Sequence, residues 1–424
     1  MKKDKINPVR SSAMFKNSIS SKSESVLRLP KFSTQEKLKT SNEAKKIVFF
    51  TGTRADFGKI KSLISILQKT KGFETHIFAT GMHLNPKYGA TVREIESCGF
   101  GNIYKFINHS DYYNPDVALS ETIRGFSNFV KVVRPNMIVV HGDRIEALGC
   151  AVVGASNNIL VAHIEGGEIT GSVDEHIRHA ISKLSHCHFV ANDEAKRRLF
   201  QMGEREETIF IIGSPDIDIM TSPDLPSWTE VKKRYKVTFD DFGLLIFHPV
   251  TTELENLLFS ANQLADAVLE SGLNYIVIYP NNDPGTDIIF NVYKEKLFEN
   301  PLFLSYPSLR FEHFLSLLKK SRFIIGNSSA GIREAPYYGV PAINVGSRQN
   351  GRIKNGIAES VRHCDCKKKD ILGLIKKIIK SSPRYQPTQL FGSAGSDKKF
   401  LNILLNHDKI WKMKVQKQFS DIDF

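Results

Sequence analysis

The feature that most constrains this chain is a unit that recurs along it: a short unbroken apolar run, a glycine-containing or polar turn, then apolar residues at helical spacing. Lys46-Ile47-Val48-Phe49-Phe50-Thr51 runs directly into Gly52-Thr53-Arg54-Ala55-Asp56-Phe57-Gly58, after which Ile60, Leu63, Ile64 and Leu67 share a helical face. Continuous apolar strands belong to a parallel sheet covered on both faces, and strand, tight turn and helix in that order open a Rossmann-like unit. Thr75–Ala79, Met137–Val140, Ile159–Ala162 and Ile209–Ile212 predict further strands of the same sheet. A second series follows Pro223–Pro226, with strands predicted at Leu244–Phe247, Tyr275–Ile278, Phe323–Ile325 and Ala342–Val345. Ile371, Leu374, Ile375, Ile378 and Ile379 mark an amphipathic helix with lysines on its other face. The expected fold class is α/β, with two Rossmann-like domains, 44–220 and 221–404, facing each other across a cleft. Ligands of open α/β sheets gather at the carboxyl ends of the strands.

Length and charge narrow the partners. The 424 residues suffice for two ordinary domains. The chain carries a net charge of +13. Residues 1–43, rich in Ser and Lys and without apolar periodicity, hold ten Lys/Arg against four Asp/Glu and supply six of those charges. That segment reads as a disordered extension. The remaining excess suits an anionic ligand. Zinc fingers, an RNP aromatic motif and a basic reading helix are all missing, which argues against nucleic acid. No apolar run reaches membrane-spanning length and no secretory h-region stands near the start, so a cytoplasmic protein with no membrane partner is expected. Cys98, Cys150, Cys187, Cys364 and Cys366 are odd in number and scattered, which suits a reducing compartment. His363-Cys364-Asp365-Cys366 lacks a second ligand pair at zinc spacing and reads as a surface turn before a helix, so no metal site is expected.

The polar motifs follow strands. Gly52–Asp56 places Arg54 beside a helix N-terminus, where an anion is favoured, although Arg54 paired with Asp56 is an equally ordinary reading. His141-Gly142-Asp143-Arg144, His163-Ile164-Glu165-Gly166-Gly167-Glu168 and Asp174-Glu175-His176-Ile177-Arg178-His179 bring acids toward one rim, where surroundings can drive carboxyl pKa values apart for acid and base work. His179, His186 and His188 read as ordinary core or surface histidines. In the second half, His248 after a strand can donate to a diphosphate, and Asn281 can position ligand hydroxyls. Gly326-Asn327-Ser328-Ser329-Ala330-Gly331, opening a helix, forms an anion cradle. Glu334, two turns into that helix, would chelate ribose hydroxyls, and Arg348 would flank the nucleotide.

Taken in order, Gly-Thr-Arg-Ala-Asp at 52–56, His-Gly-Asp-Arg at 141–144, His-Ile-Glu-Gly-Gly-Glu at 163–168, Gly-Ser-Pro-Asp at 213–216 and Gly-Asn-Ser-Ser-x-Gly-Ile-Arg-Glu at 326–334 resemble the hydrolysing UDP-N-acetylglucosamine 2-epimerases of sialic acid biosynthesis. The resemblance runs from about residue 45 to the C-terminus. It implies a glycosyltransferase-B-like arrangement with the active site in the cleft, and a C-terminal helix, 405–424, returning to the first domain. It implies Asp143, Glu165 and Asp174 as catalytic acids. Arg54, His248, Ser328, Ser329, Glu334 and Arg348 match UDP-contacting positions, while His83, Glu175 and Arg178, with Arg144, match positions near the hexosamine. Some relatives have Asp where this chain has Glu175. The implied reaction eliminates UDP to a 2-acetamidoglucal and then hydrates it, with no metal or redox cofactor. A homodimer or homotetramer is expected. A related substrate, UDP-N,N′-diacetylbacillosamine of legionaminic acid synthesis, is an alternative, toward which 101–109 and Asp111-Tyr112-Tyr113 lean. A glycosyltransferase of the same fold and a non-catalytic UDP-sugar-binding protein are others. Converging carboxylates argue against the binder, because they give an anion site little.

Overall fold

The computed structural model describes residues 43–424 apart from 109–113, 171–173, 354–357, 382, 407 and 422–424. The extension expected over 1–43 therefore falls almost wholly outside the described residues, as do Asp111-Tyr112-Tyr113 and the last residue of the 101–109 stretch. Seven strands make the first sheet: β1 (Lys45–Thr51), β2 (Phe73–Ala79), β3 (Ile103–Lys105), β4 (Met137–His141), β5 (Leu160–Ile164), β6 (Cys187–Val190) and β7 (Ile209–Ile211). Six make the second: β8 (Gly243–Ile246), β9 (Tyr275–Ile278), β10 (Phe303–Tyr306), β11 (Phe323–Gly326), β12 (Ala342–Val345) and β13 (Val361–Cys364). The orders are β3-β2-β1-β4-β5-β6-β7 and β10-β9-β8-β11-β12-β13. All pairings in both sheets are parallel, with Thr51 opposite Ala79 and Gly326 opposite Ile246. Each order reverses once, between β1 and β4 and between β8 and β11. The loops leaving those strands diverge and open a crevice there.

The unbroken apolar runs have their physical reason in the core. Ile47 and Phe49 of β1 enter one buried cluster, and Val48 and Phe50 enter another on the opposite face. Leu245 and Leu244 of β8 divide in the same way. Every predicted strand is present, within two residues. Four were not foreseen: β3, β6, β10 and β13 are edge or near-edge strands, short and interrupted by Lys, His, Ser or Arg. The stretch read as a surface turn at 363–366 instead begins inside β13, where Cys364 lies opposite Val345.

The returning helix also differs from expectation. It spans Ser396–Asn406 rather than 405–424. Phe400, Ile403 and Leu404, at i, i+3 and i+4, are buried against the first sheet, with the Phe400 ring 4.7 Å from Phe189 and 6.5 Å from Phe49. A short helix follows at Asp408–Trp411, and residues 412–421 are non-helical, with Met413 and Val415 packed against the first sheet's core.

Candidate active site

The turn after β1 is folded by Asp56. Its carboxylate accepts from Gly52 N (3.0 Å) and Thr53 N, and its own N–H donates to Thr53 Oγ1 (3.2 Å), a capping box that starts helix Arg54–Gln68. Asp56 is thereby occupied, and Arg54 turns elsewhere. Arg54 Nε lies 2.7 Å from Glu94, and Nη1 donates to Ser308 Oγ (2.9 Å) in the second half of the chain. His83 lies behind this turn, fully buried, its ring nitrogens 2.9 Å from Thr51 Oγ1 and 2.7 Å from Thr91 Oγ1. Burial first, then the nearby Arg54 charge, pushes His83 down to about 3, so it is neutral.

The turn after β11 needs glycine. Gly326 has φ +126°, and a Cβ there would sit 1.9 Å from the Ile246 carbonyl oxygen. That close approach lets the Asn327 amide clasp the neighbouring strand end: Oδ1 accepts from His248 N (2.7 Å) and Nδ2 donates to His248 O (2.8 Å). His248 Nδ1 in turn accepts from Asn281 N (3.1 Å), which leaves the ring proton on Nε2. Burial, with the Arg348 charge second, holds the imidazole well below its usual range. His248 is therefore a fixed neutral donor. Arg348 Nη1 and Gln349 Nε2 both donate to Asn327 O, at 3.2 and 2.9 Å. Glu334 is not two turns into a helix. A 3-10 turn at Ser329–Gly331 intervenes, and Glu334 is the first residue of the short helix Glu334–Tyr337. It is buried, its Oε2 has no hydrogen-bond partner among the described residues, and burial raises its pKa.

The acids meet opposite. Glu165 follows β5 at φ +62°, a backbone state that non-glycine residues adopt at a cost. Its Oε2 is 3.1 Å from His141 Nε2 and its Oε1 accepts from Ser214 and Arg333. Arg178 donates to the Glu165 carbonyl (2.6 Å) and to Asp143. Burial alone would raise both acids, but Arg333 and Lys59 hold Glu165 well below the carboxylate range, and Arg178 holds Asp143 lower than usual. Asp174 opens helix Asp174–Leu184, more exposed than either, 3.9 Å from Arg348.

One cleft joins these groups. A lobe of about 930 Å³, open to solvent, is lined by Arg54, His248, Asn281, Ser328, Ser329 and Glu334. A larger lobe of about 2010 Å³, open to solvent, is lined by Asp143, Glu165, Asp174, Arg144, Arg178 and Arg348. Thr53, Ala55, Lys59, Asn281 and Ser329 line both. Two predicted residues stand outside it. His83 supports the Thr51 turn from behind. Glu175 accepts from Thr170 N (2.9 Å) and faces His179 at 3.6 Å, closing its own loop.

Other residues emerged only in three dimensions. Arg333, stacked 4.4 Å over Phe391, reaches from the second half to Glu165, Glu168 (2.5 Å) and Asp216 (3.5 Å) of the first. Lys59 lies 3.3 Å from Asp216 and 3.9 Å from both Glu165 and Glu334. Arg333, Glu168 and Asp216 stand within the recurring motifs, which gave them no role. Lys59, two residues before Lys61 on helix Arg54–Gln68, gave no signal in the sequence. Among the described residues, no group of three His, Cys, Asp or Glu is placed to hold a metal ion, and no helix is long and apolar enough to cross a membrane.

Residues 65–405 match the family model of UDP-N-acetylglucosamine 2-epimerases. The chain belongs to that family. A UDP-N-acetylglucosamine 2-epimerase of Neisseria meningitidis serogroup B is 43% identical over 382 residues, spanning 89% of this chain and 100% of the relative. A hydrolysing UDP-N,N′-diacetylbacillosamine 2-epimerase of Legionella pneumophila is 34% identical over 364 residues, 85% of this chain and 95% of the relative. The crystal structure of a UDP-GlcNAc 2-epimerase from Neisseria meningitidis bound to UDP-GlcNAc superposes with a TM-score of 0.72 at 18% identity, covering 85% of this chain and 99% of that one. The epimerase family and its glycosyltransferase-B-like fold are thus shared, as the motifs implied.

Proposed function

We propose that this epimerase-family enzyme converts UDP-N-acetylglucosamine and water to N-acetylmannosamine and UDP. The observation that carries the reading is the two-lobed cleft, with a neutral histidine donor and a serine turn at one end and three carboxylates at the other. UDP would occupy the smaller lobe. His248 Nε2–H, Arg54 and the amides around Ser328 and Ser329 stabilise the departing diphosphate, and the unpartnered Glu334 oxygen accepts from ribose hydroxyls. The hexosamine then reaches Asp143, Glu165 and Asp174.

In the first step the C2 proton is removed as the C1–O bond to the diphosphate breaks. The C–H electron pair forms the C1=C2 bond of 2-acetamidoglucal, and UDP departs. Water then adds its oxygen to C1 and a proton is delivered to C2 from the opposite face. Arg144, which donates to Asn282 Oδ1 (3.3 Å), and Arg178 border the sugar end. The decisive experiment incubates the enzyme with UDP-N-acetylglucosamine in heavy-oxygen water and analyses the sugar by mass spectrometry and NMR. N-acetylmannosamine labelled at C1 is expected; unlabelled or unepimerised sugar would overturn the reading.

The Legionella relative supports a second substrate, UDP-N,N′-diacetylbacillosamine. Leu119, Leu148 and Ile177 give the larger lobe an apolar wall suited to a sugar with methyl and acetamido groups. Parallel assays decide between them by the ratio of kcat/KM.

A further inference from the structure

We infer that Lys417, on the non-helical C-terminal strap, is a positioning residue for the reaction, acting on the catalytic rim from the far end of a helix. This rests on the function proposed above. Helix Asp174–Leu184 begins with Asp174 in the cleft and carries Arg178, which holds Asp143, one turn further on. Its 11 residues span about 16 Å, so its other end lies at the opposite side of the sheet.

The last carbonyls of a helix have no partner within it, and they carry the negative end of its dipole. Here the Lys417 ammonium takes that place. It donates to Ser182 O (3.2 Å), Lys183 O (3.0 Å) and Ser185 O (2.7 Å), from more than 230 residues away. The same ammonium pairs with the buried Glu204, which also receives Lys183 (2.8 Å) and His188 (3.0 Å). Two residues earlier, the strap is pinned again. His186 Nδ1 accepts from Val161 N (3.0 Å), so its Nε2–H donates to Val415 O (2.8 Å). The strap thus ties the end of the helix, the start of β6 and Glu204 into one unit. A rigid helix transmits a shift at one end to the other, and a displacement of about 1 Å at a reacting group can cost 10²-fold in rate.

Lys417→Met keeps the apolar stem and removes the ammonium. The expected result is a kcat, per UDP-binding site counted by calorimetry, lower by about ten-fold, with UDP affinity unchanged within about two-fold, because the UDP ligands belong to the second half except for Arg54, which lies on helix Arg54–Gln68 and not on the helix that Lys417 caps. Lys417→Ala should recover part of its lost kcat when butylammonium is added. An unchanged kcat per UDP-binding site in Lys417→Met overturns the inference. So does a parallel loss of UDP-binding sites in both variants, which would make Lys417 a folding residue only. Failure of the unsubstituted enzyme to turn over would instead count against the proposed function.

Discussion

At the residue scale, the three acids are not equivalent. Asp143 pairs directly with Arg178, with the Arg352 and Arg348 charges also near, and keeps 25% of its side chain exposed. Glu165 is buried among Arg333, Lys59, His141 and Ser214, so its charge also neutralises cations drawn from both halves. Asp143→Asn should lower kcat by at least about 10³-fold while leaving UDP affinity nearly unchanged and lowering the thermal midpoint less than Glu165→Gln does, because the amide oxygen can still accept from Arg178. Glu165→Gln should lose turnover to a similar extent and also destabilise the fold by about 3 kcal/mol, because the buried Arg333 and the nearby Lys59 are then left with only Glu168, Asp216 and Glu334 to balance them. Differential scanning calorimetry beside steady-state assays separates the two. Equal midpoints for both variants would show that Glu165 has no structural share.

At the scale of elements, the loop after β11 matters as backbone rather than side chain. Gly326→Ala meets the Ile246 carbonyl at 1.9 Å and must push β8 and β11 apart or abandon φ +126°. A loss of about 3 kcal/mol is expected, together with UDP binding, since the Asn327–His248 clasp depends on that approach. Urea unfolding and UDP titration measure both. A folded variant with parent-like UDP affinity would mean the clasp is dispensable. The central strands of both sheets were legible from sequence because each packs on both faces and is apolar throughout. Three of the edge strands, β3, β10 and β13, were not: β13 has Arg362 and His363 exposed, and β3 exposes Tyr104 and Lys105.

At the scale of the whole molecule, buried neutral histidines set the acid limit of stability. His83 and His163 are each held at about 3, burial being the larger cause, against an ordinary value near 6.5. Between those values the unfolded chain binds more protons than the folded one, so stability rises with pH across that window and is flat above it. Acidification from pH 7.5 to 5.5 should therefore cost about 1 kcal/mol per histidine. Below about 4.5 the loss steepens as Glu204, held at about 2 by His188 and Lys417 against its burial, becomes protonated in the unfolded chain. Urea midpoints across this range test the sign; a midpoint that climbs on acidification refutes it. The proposed reaction needs no metal, so exhaustive chelation should leave turnover undiminished, and restoration of lost activity by a divalent ion would contradict that.

The sequence by itself determined the two parallel sheets, the strand ends where polar motifs gather and, through the order of those motifs, the family. Each is written in local pattern: apolar runs, turns and their spacing. Only the tertiary structure decided which motif residues face the cleft. His83 and Glu175 lie next to cleft residues in sequence, yet their hydrogen-bond partners, Thr51 with Thr91 and Thr170, hold them away from it. Lys59 and Lys417 carry no pattern, and Arg333 stands in a motif that gave it no role. Their partners lie more than a hundred residues away, and a buried charge is set by what folds against it.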